Sequence, residues 1–278
     1  MALNRSVIVV SSNLSLKHHP DRKPSLHTIQ KISRALDLAR DVAKQTQDRL
    51  ASINSLTFLY DKLLRDALAY HFSIEKYDRV AITTIINALA RIYLGLQMPV
   101  VFADVLSRTV WDPHDVKVVT KTTSHFGEVV DFDRDYEKET VLPGPYREMP
   151  GKDHVSGFVS PKKVMEGGKK VQKGYDAAKT YGPDDQGSIH LHFALCESIA
   201  TTAIAYLIIH EASHKFAGTH DKAYADGLGN DVKYESLSIQ DKSINADCYG
   251  YFCTSMMLGS MVRGKRDLYS STRPEPPG

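Results

Sequence analysis

Cysteine is scarce: the 278 residues hold only Cys196, Cys248 and Cys253. An odd number at these spacings forms no disulfide framework, and all three read as small buried hydrophobes. A five-residue offset points Cys248 and Cys253 to different faces of one helix. Charge of one sign is also lacking. The formal net charge of +2 is too small to imply nucleic acid or an anionic membrane as partner. Long hydrophobic runs are missing too. The N-terminus offers only VIVV where a secretory leader needs roughly 7–15 apolar residues. The most apolar stretch, residues 199–209, falls short of the about 20 residues that cross a bilayer. The expectation is a soluble protein with no membrane span. It stays cytoplasmic in its producer, or leaves by a route that needs no cleaved signal. None of these absences prevents a core, since a chain this long buries roughly 70–75% of its unfolded surface.

Helical periodicity fills the first third. Ser25 is placed to cap a helix running to about Ser52, with Ile29, Ile32, Leu36, Ala39, Val42 and Ala43 on one face. A second helix is expected over about 55–71 and a third over about 77–96. The third is apolar on most sides and is expected to be buried. Residues 1–26 carry Pro20 and Pro24 and read as an extended arm. Between 100 and 160 the β-branched runs "DVKVVTKTT" and "GEVVDF" fit a small sheet. Six lysines (Lys162, Lys163, Lys169, Lys170, Lys173 and Lys179) lie among five glycines in 161–187. They read as a solvated loop or hairpin, with a Lys-rich contact surface as the rival. "GSIHLHF" alternates Ile189, Leu191 and Phe193 against Ser188, His190 and His192, a half-buried strand pattern. A last helix is expected over 239–258, followed by a flexible tail over 263–278.

One stretch carries metal chemistry: "AIAYLIIHEASHKFAGTHDKAYADG", residues 203–227. Positions i and i+4 share a helix face, so His210 and His214 can present imidazole nitrogens to one ion. Glu211, one residue on, can reach a water on that ion without ligating it. This is the H-E-x-x-H arrangement of zinc peptidases, in which zinc lowers the pKa of its water to about 7. Gly218 is placed as a C-cap, letting the chain turn back with a third ligand. Two neighbours compete for that role. His220 stands where H-E-x-x-H-x-x-G-x-x-H has its third His, although that pattern needs Gly at 217 and here 217 is Ala. Asp221 is the other.

"GTHDKAY" after H-E-x-x-H resembles the G-T-x-D-x-x-Y signature of the aspzincins, the family of deuterolysin and the peptidyl-Lys metalloendopeptidases. "NADCYGYF", residues 245–252, is similar to the second helix of that family. The resemblance implies one zinc per chain on His210, His214 and Asp221, with His220 as the alternative ligand. It implies Glu211 as general base and Tyr224 as donor to the oxyanion. It implies a mainly helical α+β, zincin-like domain over 27–262, with an active-site helix, a small antiparallel sheet and an edge strand. The activity implied is zinc-dependent endopeptidase on protein or peptide substrates. A catalytically silent zinc-binding relative that holds a protein partner is the alternative, and export as a bacterial effector or toxin is one role that fits.

Two substrate contacts are expected. Ile189, His190 and Leu191 form the candidate edge along which an extended peptide adds as a strand. Asp247 matches an acidic residue that lines the pocket for a basic side chain after the scissile bond in the Lys-specific members. The second acidic position of those members is Gly250 here. Asp247 equally reads as a carboxylate that orients a zinc-binding His.

Overall fold

The computed structural model describes residues 6–18, 20, 23–104, 157–161, 163–166, 169–172, 186–225 and 233–269. The runs 115–123 and 127–132, read above as strands, lie outside them. The architecture is α+β and mainly helical.

The expected N-terminal arm is extended, but it is not loose. Ser6–Ser11 (β1) and Leu14–His18 (β2) form an antiparallel hairpin. Leu14, Leu16 and His18 face inward while Val7 and Val9 stay exposed. Helix α1, Leu26–Ser52, starts where the Ser25 side chain accepts the Thr28 N–H. Ile32, Ala35, Leu36, Ala39, Val42, Ala43 and Leu50 bury one stripe of it, the spacing of an amphipathic helix.

The single helix expected over 55–71 is two, α2 (Ser55–Tyr60) and α3 (Lys62–Phe72). Asp61 makes the break. Its carboxylate caps α3 through the Leu64 N–H and is gripped by Arg49 of α1, at 3.0 Å from Nε and 2.6 Å from Nη2. Helix α4, Arg79–Gln97, ends at Met98 before Pro99. It is long and apolar enough by length and composition to cross a membrane, which the sequence reading overlooked. Ile82, Ile85, Leu89, Ile92 and Leu96 pack inward, yet Val80 and Leu94 are exposed. The helix is therefore one-sided rather than buried all round.

After α4 come β3 (Val100–Asp104), β4 (Gly157–Pro161), the hairpin β5 (Lys163–Glu166) with β6 (Lys169–Gln172), and β7 (Gln186–Leu191). The main sheet has the order β1-β2-β3-β7-β4. It is mixed, not antiparallel, because β2, β3 and β7 run parallel. The helices α1–α4 make the crossover that a parallel β2–β3 pair requires. β7 is not an edge either. β3 pairs with one side of it and β4 with the other.

Two helices follow β7, α5 (Phe193–Ser198) and α6 (Thr201–Ala212). Every residue of α6 from Thr202 to Ala212 is buried. It packs between α1 and α8 (Ala246–Leu258), which explains why it is apolar all round. The helix expected over 239–258 divides into α7 (Ile239–Ser243) and α8, with Asn245 extended between them. The expected tail begins as a short helix, α9 (Lys265–Tyr269), with Leu268 buried.

Candidate metal centre

The first two candidate ligands sit where α6 changes pitch. From Ser213 to Ala217 the helix widens into a π turn, closed by the Gly218 N–H on the Ser213 carbonyl. Such turns concentrate at functional sites. Gly218 takes φ 71°, a left-handed conformation that favours glycine. Two contacts hold the turn open. The Ser213 hydroxyl donates to the His210 carbonyl at 2.7 Å and meets Thr219 Oγ1 at 2.6 Å. On the outside, the Phe216 ring lies flat on α4 at Gly95, in the space a Cβ would take.

The segment after Gly218 is docked onto the start of α8. His220 and Asn245 form a parallel bridge, with His220 N to Ile244 O at 2.7 Å and Ala246 N to His220 O at 2.9 Å. The Asn245 side chain, fully buried, accepts from Lys222 N at 2.8 Å and donates to Ala223 O at 3.0 Å. Asp247 Oδ2 accepts from Ala225 N at 2.9 Å. Asn245 and Asp247 therefore shape the loop that bears Asp221 and Tyr224.

That docking turns the two adjacent candidates in different directions. His220 contributes its backbone to the bridge, and the neighbouring residue of an extended segment points the other way. Asp221 turns to the histidines. Among the described residues, the group whose ligand atoms converge is His210, His214 and Asp221. Their separations form a nearly equilateral triangle. His210 Nε2 to Asp221 Oδ1 is 3.2 Å, His214 Nε2 to the same oxygen is 3.3 Å, and the two Nε2 atoms are 3.3 Å apart. A tetrahedral ion with ligands at about 2.0–2.1 Å needs edges about 1.63 times longer, or about 3.3–3.4 Å.

The protons agree with the distances. His210 Nδ1 lies 2.9 Å from Asp247 Oδ1, and His214 Nδ1 lies 2.8 Å from the Thr219 carbonyl. The Thr219 carbonyl accepts the Nδ1 proton of His214 and leaves its Nε2 as a lone-pair donor, while the Asp247 carboxylate faces His210 Nδ1 as an ion-pair contact rather than an aligned hydrogen bond. At the site His210 Nδ1 lacks an aligned hydrogen bond, and the acceptors Asp221 Oδ1 and Glu211 Oε2 are buried without a hydrogen-bond partner. Left so, each is costly. A divalent cation in the triangle would satisfy the first acceptor and attract the second. Two imidazole nitrogens and a carboxylate are a zinc donor set, so these residues fit the ion that the motif implies.

Electrostatics binds the same groups together. Burial works against the Asp221 carboxylate, but the His214 and His210 imidazoles outweigh it and hold its pKa well below the usual range. Burial likewise works against the His210 cation, and Asp221 overcomes it, so the His210 pKa rises. Glu211, 3% exposed, is pushed up to about 7, chiefly by burial. The pKa of the Tyr224 phenol is raised by burial and by the Asp221 carboxylate nearby.

The structure thus brings together His210, Glu211, His214, Asp221 and Tyr224. It does not bring Ile189, His190 and Leu191 to the centre as a peptide-binding edge. Ile189 and Leu191 are fully buried, and both hydrogen-bonding sides of their strand are filled. Asp247 is no pocket carboxylate either. It is 2% exposed and engaged by His210, Tyr206 (2.6 Å) and Ala225 N. Gly250 adds no pocket, because the Tyr206 ring lies where a side chain would start.

Four contributors escaped sequence reasoning: Tyr206, Ser213, Thr219 and Asn245. Thr219 and Asn245 lay within the quoted motifs without an assigned task. Tyr206 stands four residues before His210, a spacing that places it on the metal face of α6.

No family model matches the chain, and no curated protein matches it. Among solved structures it is similar to a zinc peptidase from Grifola frondosa, with 13% identity over 82% of this chain and 94% of that one and a TM-score of 0.42. A likeness of that degree carries no weight for function.

Proposed function

We propose that the chain is a zinc-dependent peptidase that cleaves internal bonds of protein or peptide substrates. The observation that carries this reading is the triangle of His210, His214 and Asp221, of zinc dimensions, with the Glu211 carboxylate beside it, one of its oxygens buried without a hydrogen-bond partner. Zinc held there would supply Lewis acidity, polarising a carbonyl and acidifying a water.

Glu211 is placed to take the proton of the attacking water. Its Oε1 is 3.9 Å from His210 Nε2, close to the centre but outside the triangle. From the same position it can hand the proton to the leaving amine. Tyr224, whose hydroxyl lies near Asp221, is the donor to the oxyanion that forms on the substrate carbonyl. Asn245 keeps that tyrosine's loop in place. Since β7 is enclosed, an extended peptide on this side of the sheet would add along β4, the outermost of the described strands there. The expected preference for a basic residue loses its support, because Asp247 is buried behind His210.

The test is cleavage of a mixed peptide library by the zinc-loaded protein, with Glu211→Gln as control. The wild type should produce internal cleavage products. The variant should retain its zinc and lose at least about 100-fold in rate, the contribution of a positioned general base. A zinc-loaded wild type that cleaves nothing, or a variant that cleaves as fast, would refute the proposal.

A further inference from the structure

Tyr206 is fully buried, bears a polar group, and has no part in the chemistry above. Its hydroxyl donates to Asp247 Oδ1 at 2.6 Å. That same oxygen lies 2.9 Å from His210 Nδ1. The other oxygen of Asp247 accepts the Ala225 N–H, one residue after Tyr224. One carboxylate thus joins α6, the metal face of His210 and the loop that carries Asp221 and Tyr224.

The tyrosine ring has a built seat. A Cβ at Gly250 would come within 2.6 Å of Tyr206 Cε2 and 2.8 Å of Cδ2. The Tyr251 ring packs against it, tilted by 34° with centroids 4.4 Å apart. With the ring fixed by α8, the direction of its O–H is fixed as well.

We infer that Tyr206 is a positioning residue of the metal centre, acting through Asp247 to set the orientation of His210. This inference rests on the zinc reading. A carboxylate can rotate about χ2, and His210 Nδ1 engages only one of its oxygens. The Tyr206 hydroxyl anchors that oxygen, while the Ala225 N–H anchors the other. Both contacts are needed to hold the carboxylate in the plane that aims His210 Nε2 at the triangle. Groups that orient a metal-binding imidazole typically account for about 10–100-fold in metal affinity.

The experiment is a double-mutant cycle of Tyr206→Phe and Asp247→Asn. Its readout is the zinc dissociation constant, measured by competition with a chromophoric chelator on the full chain. Tyr206→Phe keeps the ring and its seat, so only the hydroxyl is lost. The expected results are a zinc dissociation constant raised about 10-fold in Tyr206→Phe, and no further loss when it is added to Asp247→Asn. A merely structural hydroxyl would lower the melting temperature and leave the zinc constant at its wild-type value, which would overturn the inference. So would full additivity of the two changes, because Tyr206 would then not act through Asp247. A wild type that binds no zinc would overturn this inference together with the function it rests on.

Discussion

Gly95→Ala gives the sharpest test of how the fold holds the proposed metal centre. In the interior of a helix, alanine is normally better than glycine by about 1 kcal/mol. Here the sign should reverse. A Cβ at 95 would stand 2.2 Å from Phe216 Cγ and 2.3 and 2.5 Å from its two Cδ atoms. These atoms are the root of the ring, so turning the ring about χ2 leaves Cγ in place, and only swinging the whole ring from its seat about χ1 or shifting its backbone clears them. To reach an ordinary 3.4 Å contact, Cγ must withdraw by about 1.2 Å. Overpacking of this kind costs about 1–3 kcal/mol, and a contact with a ring root belongs at the upper end. Against the propensity gain, the net loss is about 1–2 kcal/mol. At about 2–4 °C per kcal/mol in chains of similar size, the melting temperature falls by several degrees. Function should suffer more. His214 lies two residues before Phe216 in the same π turn, and metal sites tolerate shifts of about 0.2 Å. Urea unfolding and chelator competition on the purified variant measure both effects. Adding Phe216→Leu should recover part of each. A Gly95→Ala protein as stable as the wild type or more so, with unchanged zinc affinity, would refute the argument.

Two further outcomes follow from buried polar groups. Asn245→Ala should leave the N–H groups of Lys222 and Ala223 and the Ala223 carbonyl without their partner, at about 1–3 kcal/mol for each group that water cannot reach. Hydrogen exchange should rise across residues 219–225 and zinc affinity should drop, while unchanged exchange there would contradict the docking described. His71, packed among Tyr234, Tyr251 and Phe252, has its pKa lowered from 6.5 to about 3, mainly by burial and next by the Lys242 cation. The folded value lies below the unfolded one, so the unfolded chain binds the extra proton between them. This contribution to stability is whole above about pH 6.5 and is lost as pH falls towards 3, by about 1.4 kcal/mol per unit. Comparing urea unfolding of wild type and His71→Asn cancels the other titrating groups. From pH 6.5 to 5 the wild type should lose about 2 kcal/mol more than the variant, and parallel pH profiles would show that His71 titrates normally.

What the sequence revealed depended on how local each signal was. The start of α1 was legible because Ser25 caps it and the apolar stripe follows at once. The end of α4 was legible because proline follows. The breaks at Asp61 and Asn245 were not, because each is made by a distant partner. Asp61 answers to Arg49 on α1, with the whole of α2 between them. Asn245 answers to His220 and the loop behind it. β7 showed its alternation, but its place between β3 and β4 is a property of the sheet and leaves no mark on the strand itself. The same distinction runs through the site. His210, Glu211 and His214 follow from helix geometry alone. The choice between His220 and Asp221 turns on a one-residue register, set by backbone pairing with α8. The role of Asp247 was visible only once α6 and α8 lay side by side, with the Tyr206 ring in the notch at Gly250.

The measurement that tests the central claim most directly is zinc per chain after dialysis, for the wild type, Asp221→Ala and His220→Ala. With His210, His214 and Asp221 as the donor set, the wild type and His220→Ala should each hold one zinc, and Asp221→Ala should hold little. Zinc retained by Asp221→Ala and lost from His220→Ala would contradict the assigned ligand. No zinc in any of the three would contradict the metal centre itself.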